Sequence, residues 1–392
     1  VADAVAALDA VWRTDAPGMR AVLARRLGGD LDRAEEALQD AVGEALRRWP
    51  VDGVPDNLAG WLVTTAWRKA LDVLRREATG RAKALDLDPP AAPTGDDRLA
   101  MIFACCHPTL SEPSQVALTL SAVSGLATDE IAAAYLVPTA TMAQRLVRAK
   151  RALRGASFTV PGPDERPDRL PAVLATVYLV FNQGYDAVRR DLAREGLELA
   201  GQLADLMPGE PEAAGLAALL TLHEARAATR VDAAGRLVLL ADQDRSRWDR
   251  SMILAGVRRL GQAVALGAPG PYQLQAAIAV QHALAPSYAD TDWAAVRGHY
   301  DRLLALRPSP VAALGRAVAT GFVDGPSVAL AEVDALSGRL SGYRMWHATR
   351  ADLLVKLGRT GEAAEASRRA LALATNDAER DLLRRRLAAL EG

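Results

Sequence analysis

Residues 126–154, LATDEIAAAYLVPTATMAQRLVRAKRALR, combine charge and apolar spacing in a pattern suited to reading duplex DNA. A first helix begins near Thr128, places the acids Asp129 and Glu130 in its first turn, and turns Ile131 and the small Ala132 to Ala134 inward. Val137 and Pro138 make a turn. The second helix, from Thr139 to Gly155, carries Arg145, Arg148, Lys150, Arg151 and Arg154 without a single acid, while Met142, Leu146, Ala149 and Leu153 form its packing stripe. Polar Thr139, Thr141 and Gln144 stand near its start, where a helix in the major groove reaches base edges. The competing reading is a basic amphipathic helix on a solvated face.

A second constellation lies in residues 30–83. Asp30 to Asp40, DLDRAEEALQD, has five acids against one arginine and an apolar face of Leu31, Ala34, Leu38 and Ala41, which suits docking onto a basic partner helix. A loop follows, Pro50 to Asn57. It leads into Trp61 to Arg76, which sets Trp61 and Trp67 among Arg68, Lys69, Arg75 and Arg76. Aromatic rings among cations on one helix supply the stacking surface and the phosphate neutralisation needed to hold unpaired strands. Taken singly, each tryptophan is more often a core residue.

Other clusters carry less. Cys105, Cys106 and His107 have the types of a metal or redox site, but adjacent cysteines before Pro108 give poor tetrahedral geometry, and Ile102 and Phe103 favour burial. Asp242 to Arg250, DQDRSRWDR, alternates acids with cations and reads as an internal salt-bridge network or a domain contact rather than a cation site. Tyr178, Phe181 and Tyr185 fall at helical spacing, a stripe that is core or seats one domain on another. There is no nucleophile elbow, phosphate loop or paired catalytic motif, so the chain reads as a non-enzyme without catalytic residues, cofactor or metal.

The elements that must position these residues are helices. Half of the 392 residues are apolar, yet only 7 Trp, 7 Tyr and 4 Phe are aromatic, and Ala, Leu and Val supply the rest. The first 155 residues hold 19 basic and 20 acidic side chains, so clustering matters and net charge does not. No stretch approaches the roughly 18 apolar residues of a membrane span, and Asp3 and Asp9 stand where a signal peptide is basic, which points to the cytoplasm and away from membranes. Proline-rich breaks at 86–97 (DLDPPAAPTGDD) and 160–171 (VPGPDERPDRLP) divide the chain. The expected organisation is all-α: a helical bundle over 1–85, a linker at 86–98, a helix-turn-helix domain over 99–155, a second linker at 156–171, and a helical extension over 172–392. Ala295, Ala329 and Ala363 stand 34 residues apart, the tetratricopeptide period, so the extension is most repeat-like over 290–392. From 172 to about 290 it is helical without a sharp period.

The order of an acidic helix, a loop with a Trp/basic helix, a linker and a basic helix-turn-helix resembles a bacterial sigma factor of the extracytoplasmic-function type. DRAEEALQDAVGEAL is similar to the family's core-polymerase-binding segment, PDNLAGWLVTTAWRKALDVLRR to its minus-ten segments, and LATDEIAAAYLVPTATMAQRLVRAKRAL to its minus-thirty-five segment. IFACCHPTLSEPSQVALTL, YLVFNQGY, LLADQDRSRWDR, GPYQLQAAIA and PSYADTDW resemble the subgroup with a long tetratricopeptide-like extension, which carries the match over nearly the whole chain.

The resemblance implies roles residue by residue. Asp32, Glu35, Leu38, Gln39 and Asp40 match positions that grip the coiled coil of the polymerase largest subunit; the flap is the other expected polymerase contact. Asp52, Val54, Asp56 and Asn57 lie in the loop that captures a flipped minus-ten base, followed by Trp61, Trp67, Arg68, Lys69, Arg75 and Arg76. Thr139, Thr141, Gln144, Arg145, Arg148, Lys150 and Arg151 match the minus-thirty-five reader. Where the family has Ala-Arg-Asn this chain has Ala66, Trp67, Arg68, which moves the cation by about 100° around the helix and passes the phosphate contact to Arg68 or Lys69. The expected partners are core RNA polymerase, promoter DNA, and the C-terminal domain in cis or a signalling protein. The rival readings are a tetratricopeptide scaffold and a stand-alone helix-turn-helix activator.

Overall fold

The computed structural model describes residues 2–77, 90–135, 137–162, 164–186, 190–374 and 377–391. Residues 86–89 of the first expected linker, and the side chains of Ala133, Ala134 and Tyr185, lie outside the described set. The described residues form helices, with one isolated bridge between Val231 and Leu237 and no strand. Two compact units divide the chain, Val1–Leu199 and Ala200–Gly392.

In the first unit, α1 (Ala2–Arg26), α2 (Leu31–Asp52) and α3 (Leu58–Glu77) pack on one another. The reason is the apolar spacing: Leu31, Ala34, Leu38, Ala41, Ala45 and Trp49 put one face of α2 inside, closed by Leu62, Val63, Ala66 and Trp67 of α3. Asp30 caps α2 by accepting the Arg33 N–H at 3.2 Å. α2 outruns the expected stop at Pro50, because a proline in a final turn forfeits only one bond; the helix ends at Gly53, whose φ of 89° an L side chain resists. The loop is therefore confined to Gly53–Asn57.

α4 (Gly95–Cys105) opens inside the expected linker. Thr94 and Asp97 form a capping box there, with the Thr94 N–H donating to Asp97 at 2.9 Å. Arg25 of α1 bridges to Asp97 at 2.6 Å and donates to the Phe158 carbonyl at 2.9 Å. α5 (Glu112–Ala122), α6 (Thr128–Ala134) and α7 (Thr139–Ala152) complete the helix-turn-helix, and α8 (Arg166–Asp186) packs on α4 and α5, where Arg169 donates to the Phe103 carbonyl at 2.7 Å. The unit thus continues past the proline-rich segment at 160–171 and takes in the first part of α9 (Arg190–Leu206). Phe181 is fully buried and Tyr178 half-buried, so that part of the aromatic stripe packs within the unit.

The second unit is built of α10 (Pro211–Glu224), α11 (Arg250–Ala265), α12 (Pro271–Leu284), α13 (Trp293–Leu306), α14 (Pro310–Val323), α15 (Pro326–Ala335), α16 (Ser337–Leu340), α17 (Arg344–Lys356), α18 (Thr360–Ala372) and α19 (Asp377–Glu391). Residues 225–249, expected to be helical, hold only three short 3-10 helices, Ala227–Thr229, Leu240–Asp242 and Arg245–Arg247, separated by turns; the turn after Asp232 forms because its carboxylate accepts the N–H groups of Ala234 and Arg236 at 2.9 Å and Gly235 takes a φ of 75°. DQDRSRWDR is expected to form a salt-bridge network or a domain contact; among the described residues its acids make no ion pair. Asp244 and Asp249 accept backbone N–H groups of Ser246 and Met252 at 3.0 Å, while Arg245 donates to the His282 and Ala285 carbonyls and lies 4.5 Å over the Trp248 ring. Of the alanines 34 residues apart, Ala329 and Ala363 are fully buried in helical hairpins, whereas Ala295 is half-buried and Trp293 and Val296 fill its place.

Candidate nucleic-acid interface

On α2 the inward stripe separates the expected polymerase contacts. Leu38 is fully buried and belongs to the core, while Asp32, Gln39 and Asp40 are exposed and Glu35 is half-buried. The acids near the start of this face are not free. Lys150 Nζ of α7 reaches Glu35 Oε2 at 2.5 Å and Asp32 Oδ1 at 3.4 Å, and the Arg154 guanidinium stands 3.6 Å from Asp30 and 3.9 Å from Asp32. These acids of α2 thus have cations of the same chain as partners.

The loop after α2 exposes Val54, Asp56 and Asn57, with Asp52 exposed in the last helical turn before it. Thr14 and Asp15 of α1 face Asp56 and Asn57 across an open cleft of about 430 Å³, where burial pushes the Asp15 carboxyl above its usual range against the pull of Arg98. On α3 the two tryptophans part company. Trp61 is half-buried and meets Trp49 edge to face at 5.4 Å, leaving part of its ring accessible. Trp67 is 1% exposed, so in this conformation its ring is core and offers no stacking surface. Arg68, Arg75 and Arg76 are exposed, and Arg68 and Arg75 share a helix face. Lys69 is half-buried and 3.7 Å from Glu44, a carboxylate held down to about 2 by hydrogen bonds from Arg47 and Arg48.

The helix-turn-helix is set by local chemistry. The Ala127 N–H donates to Glu130 at 2.7 Å at the head of α6, and Val137 N–H donates to the Ala132 carbonyl at 3.0 Å to close its end. On α7, Met142, Leu146 and Ala149 point into the unit. Thr139, Thr141, Gln144, Arg148 and Arg151 are exposed along the outer side, and Arg145 is half-buried beside Tyr135, whose hydroxyl burial pushes up to about 12. Lys150 turns to the acids of α2, with only 14% of its side chain exposed. An outer face with three exposed or half-exposed arginines and hydroxyl and amide groups at its N-terminal end can neutralise phosphates and present donors to base edges.

Two residues where the end of α7 meets the start of α2 are not evident from the sequence. Arg154 was placed on the basic helix without a partner, and Gly29 was not singled out. Complementary charge was the available signal for Arg154, and a Gly-Gly pair before a helix was the signal for Gly29. Cys105 and Cys106 are fully buried, and burial raises both thiols, Cys106 to about 11, which favours the protonated form at neutral pH.

Comparison with known proteins adds three family matches. Residues 19–79 match Sigma-70 region 2, residues 100–153 match Sigma-70 region 4, and residues 169–264 match a family of unknown function, DUF6596. An uncharacterized protein of Rhizobium meliloti (strain 1021) is 44% identical over 382 residues, covering 91% of this chain and 90% of that protein.

Proposed function

Because this chain belongs to the sigma-70 family, with region 2, region 4 and a DUF6596 domain in that order, we propose that it is an extracytoplasmic-function-type factor whose C-terminal tetratricopeptide-like unit controls its activity. As an RNA polymerase sigma factor it joins core polymerase to promoter DNA and carries no catalytic residue of its own. Asp32, Glu35, Gln39 and Asp40 meet cations on the polymerase. Val54, Asp56, Asn57 and Trp61 line the site for an unpaired minus-ten base, with Arg68, Arg75 and Arg76 on the adjoining phosphates. Thr139, Thr141, Gln144, Arg145, Arg148 and Arg151 read the minus-thirty-five element. Work in the cytoplasm is part of the proposal; among the described residues no helix is long and apolar enough to cross a membrane.

Promoter opening in this scheme is differential binding: the pocket favours the unstacked base and offsets the few kcal/mol of unpairing. The observation that carries the reading is the exposed outer face of α7, with Arg148, Arg151, Thr139, Thr141 and Gln144 clear of the core. The test is transcription by purified core polymerase on a promoter library. Transcripts that start at one two-part motif only when this chain is present support the reading; a motif-independent output contradicts it. For the extension, the chain is cut after Leu199 rather than after the proline-rich segment, because α8 is packed within the first unit. Higher output from the shortened chain makes the C-terminal unit an inhibitor, and lost output makes it a required part.

A further inference from the structure

We infer that the second unit holds a binding site for a small apolar monocarboxylate, in the cavity lined by α14, α17, α19 and the segment before α11, with Lys356 as the cation that takes the carboxylate.

The cavity measures about 540 Å³. Sites that enclose small organic molecules run from roughly 300 to 1,000 Å³ and are mostly apolar with a few polar groups. Helical spacing builds the wall here. Val318 and Phe322 lie one turn apart on α14, and with Leu353 of α17 and Leu390 of α19 they make it apolar. Leu239 and Leu240 close a further side. They belong to the segment that interrupts the helices between α10 and α11, and Arg385 of α19 donates to the Leu237 carbonyl at 3.2 Å, across 148 residues of sequence. That segment thereby meets the last helix and bounds the space, which suits a compact molecule better than the extended peptide that an open repeat groove takes.

The polar groups of the wall select the ligand's charge. Two cations, Lys356 and Arg386, stand against one acid, Asp352. Arg386 is paired with Asp352. Lys356 lies 4.4 Å over the Phe322 ring and has no carboxylate partner among the described residues. Thr349, Asp352 and Lys356 share one side of α17, so the lysine is held on the face that lines the cavity. Ser367, 5% exposed, and the half-buried Thr349 add hydroxyl donors. A carboxylate gives Lys356 its counter-charge in a charge-assisted hydrogen bond, and an aliphatic or aromatic body covers the leucines and Phe322. A neutral guest of the same shape forgoes the first contribution, and an inorganic anion forgoes the second.

The test titrates the full chain with decanoate and with its uncharged counterpart decanol by isothermal titration calorimetry, below micelle-forming concentrations. Decanoate is expected to bind one site, about tenfold tighter than decanol, and about tenfold more weakly after Lys356→Gln. Ala389→Trp, at an exposed lining position on α19, should fill the cavity and abolish binding. Melting curves verify the fold of both variants. No saturable binding of decanoate, equal affinity for decanol, or binding that either folded variant leaves unchanged overturns the inference. A second measurement needs no variant: the chain has four lysines, and acetylation of the full chain is followed at each by mass spectrometry. Decanoate should slow modification of the exposed Lys356 several-fold and leave Lys69 unaffected; an unchanged rate at Lys356 overturns the inference. Neither measurement uses polymerase or promoter DNA, so a failure here leaves the sigma-factor reading standing.

Discussion

Asn57 Oδ1 accepts the Gly60 N–H at 2.8 Å, and a Cβ on Gly60 would lie only 2.6 to 2.9 Å from the atoms of the Asn57 side chain. Asn57, one of the loop residues proposed to line the minus-ten site, therefore also caps α3, and the loop is held to the helix that carries Arg68, Arg75 and Arg76. Asn57→Ala should lower stability by about 1 kcal/mol, whereas Asn57→Asp, which keeps an acceptor, should retain most of it. Urea denaturation of the three proteins checks this, and equal midpoints would show that the cap contributes nothing.

The two α3 tryptophans should respond differently to truncation. Trp67 is buried with its indole N–H unpartnered among the described residues, so Trp67→Ala should cost about 3 to 5 kcal/mol by leaving a cavity. Trp61 is half-buried, and Trp61→Ala should cost less stability but reduce opening of promoter DNA in the polymerase complex. Permanganate reactivity of unpaired thymines reads the second effect. Intact opening by a stably folded Trp61→Ala protein argues against a stacking role.

Arginines on the outer face of α7 should set the salt dependence of promoter binding. Each phosphate neutralised contributes a slope of about −0.9 in log K against log salt. Replacing Arg145 and Arg148 with alanine should shallow the slope of the polymerase complex by up to about 1.8. A slope that does not change removes this helix from the phosphates.

The second unit should lose stability in mild acid. Burial, reinforced by Arg226 and Arg245, lowers His282 to about 4, and burial with Arg226 and Arg230 lowers the half-buried His223. Both rings are kept neutral when folded, so between pH 6.5 and about 4 the unfolded chain binds more protons and stability falls with falling pH. The His282 contribution approaches about 3 kcal/mol, complete once the pH is below the folded value. His282→Gln should flatten the fall in melting temperature over that window. An identical pH profile would show that the ring does not resist protonation.

Helix identity and the outer face of α7 were legible because both follow from spacing: every third or fourth apolar residue turns inward, and the hydroxyls, Gln144, Arg148 and Arg151 are left outside. Leu38 and Trp67 were not separable from exposed neighbours, since family position indicates a functional segment but not which side chain of it faces the core. The break in helix over 225–249 is not legible in the spacing, because the turn that Asp232 makes by accepting backbone N–H groups, with Gly235 in the left-handed region, leaves no periodic trace. The pairing of Lys150 with Glu35 joins positions 115 residues apart, and no local spacing signals a contact over that separation.

The central claim is that this chain joins core RNA polymerase through the acidic face of α2. Gel filtration of the full chain with purified core polymerase tests it most directly, with Asp32→Lys/Glu35→Lys as the control. The account predicts a one-to-one complex that the double variant fails to form. Separate elution of chain and polymerase, both for the full chain and for one ending at Leu199, would contradict it.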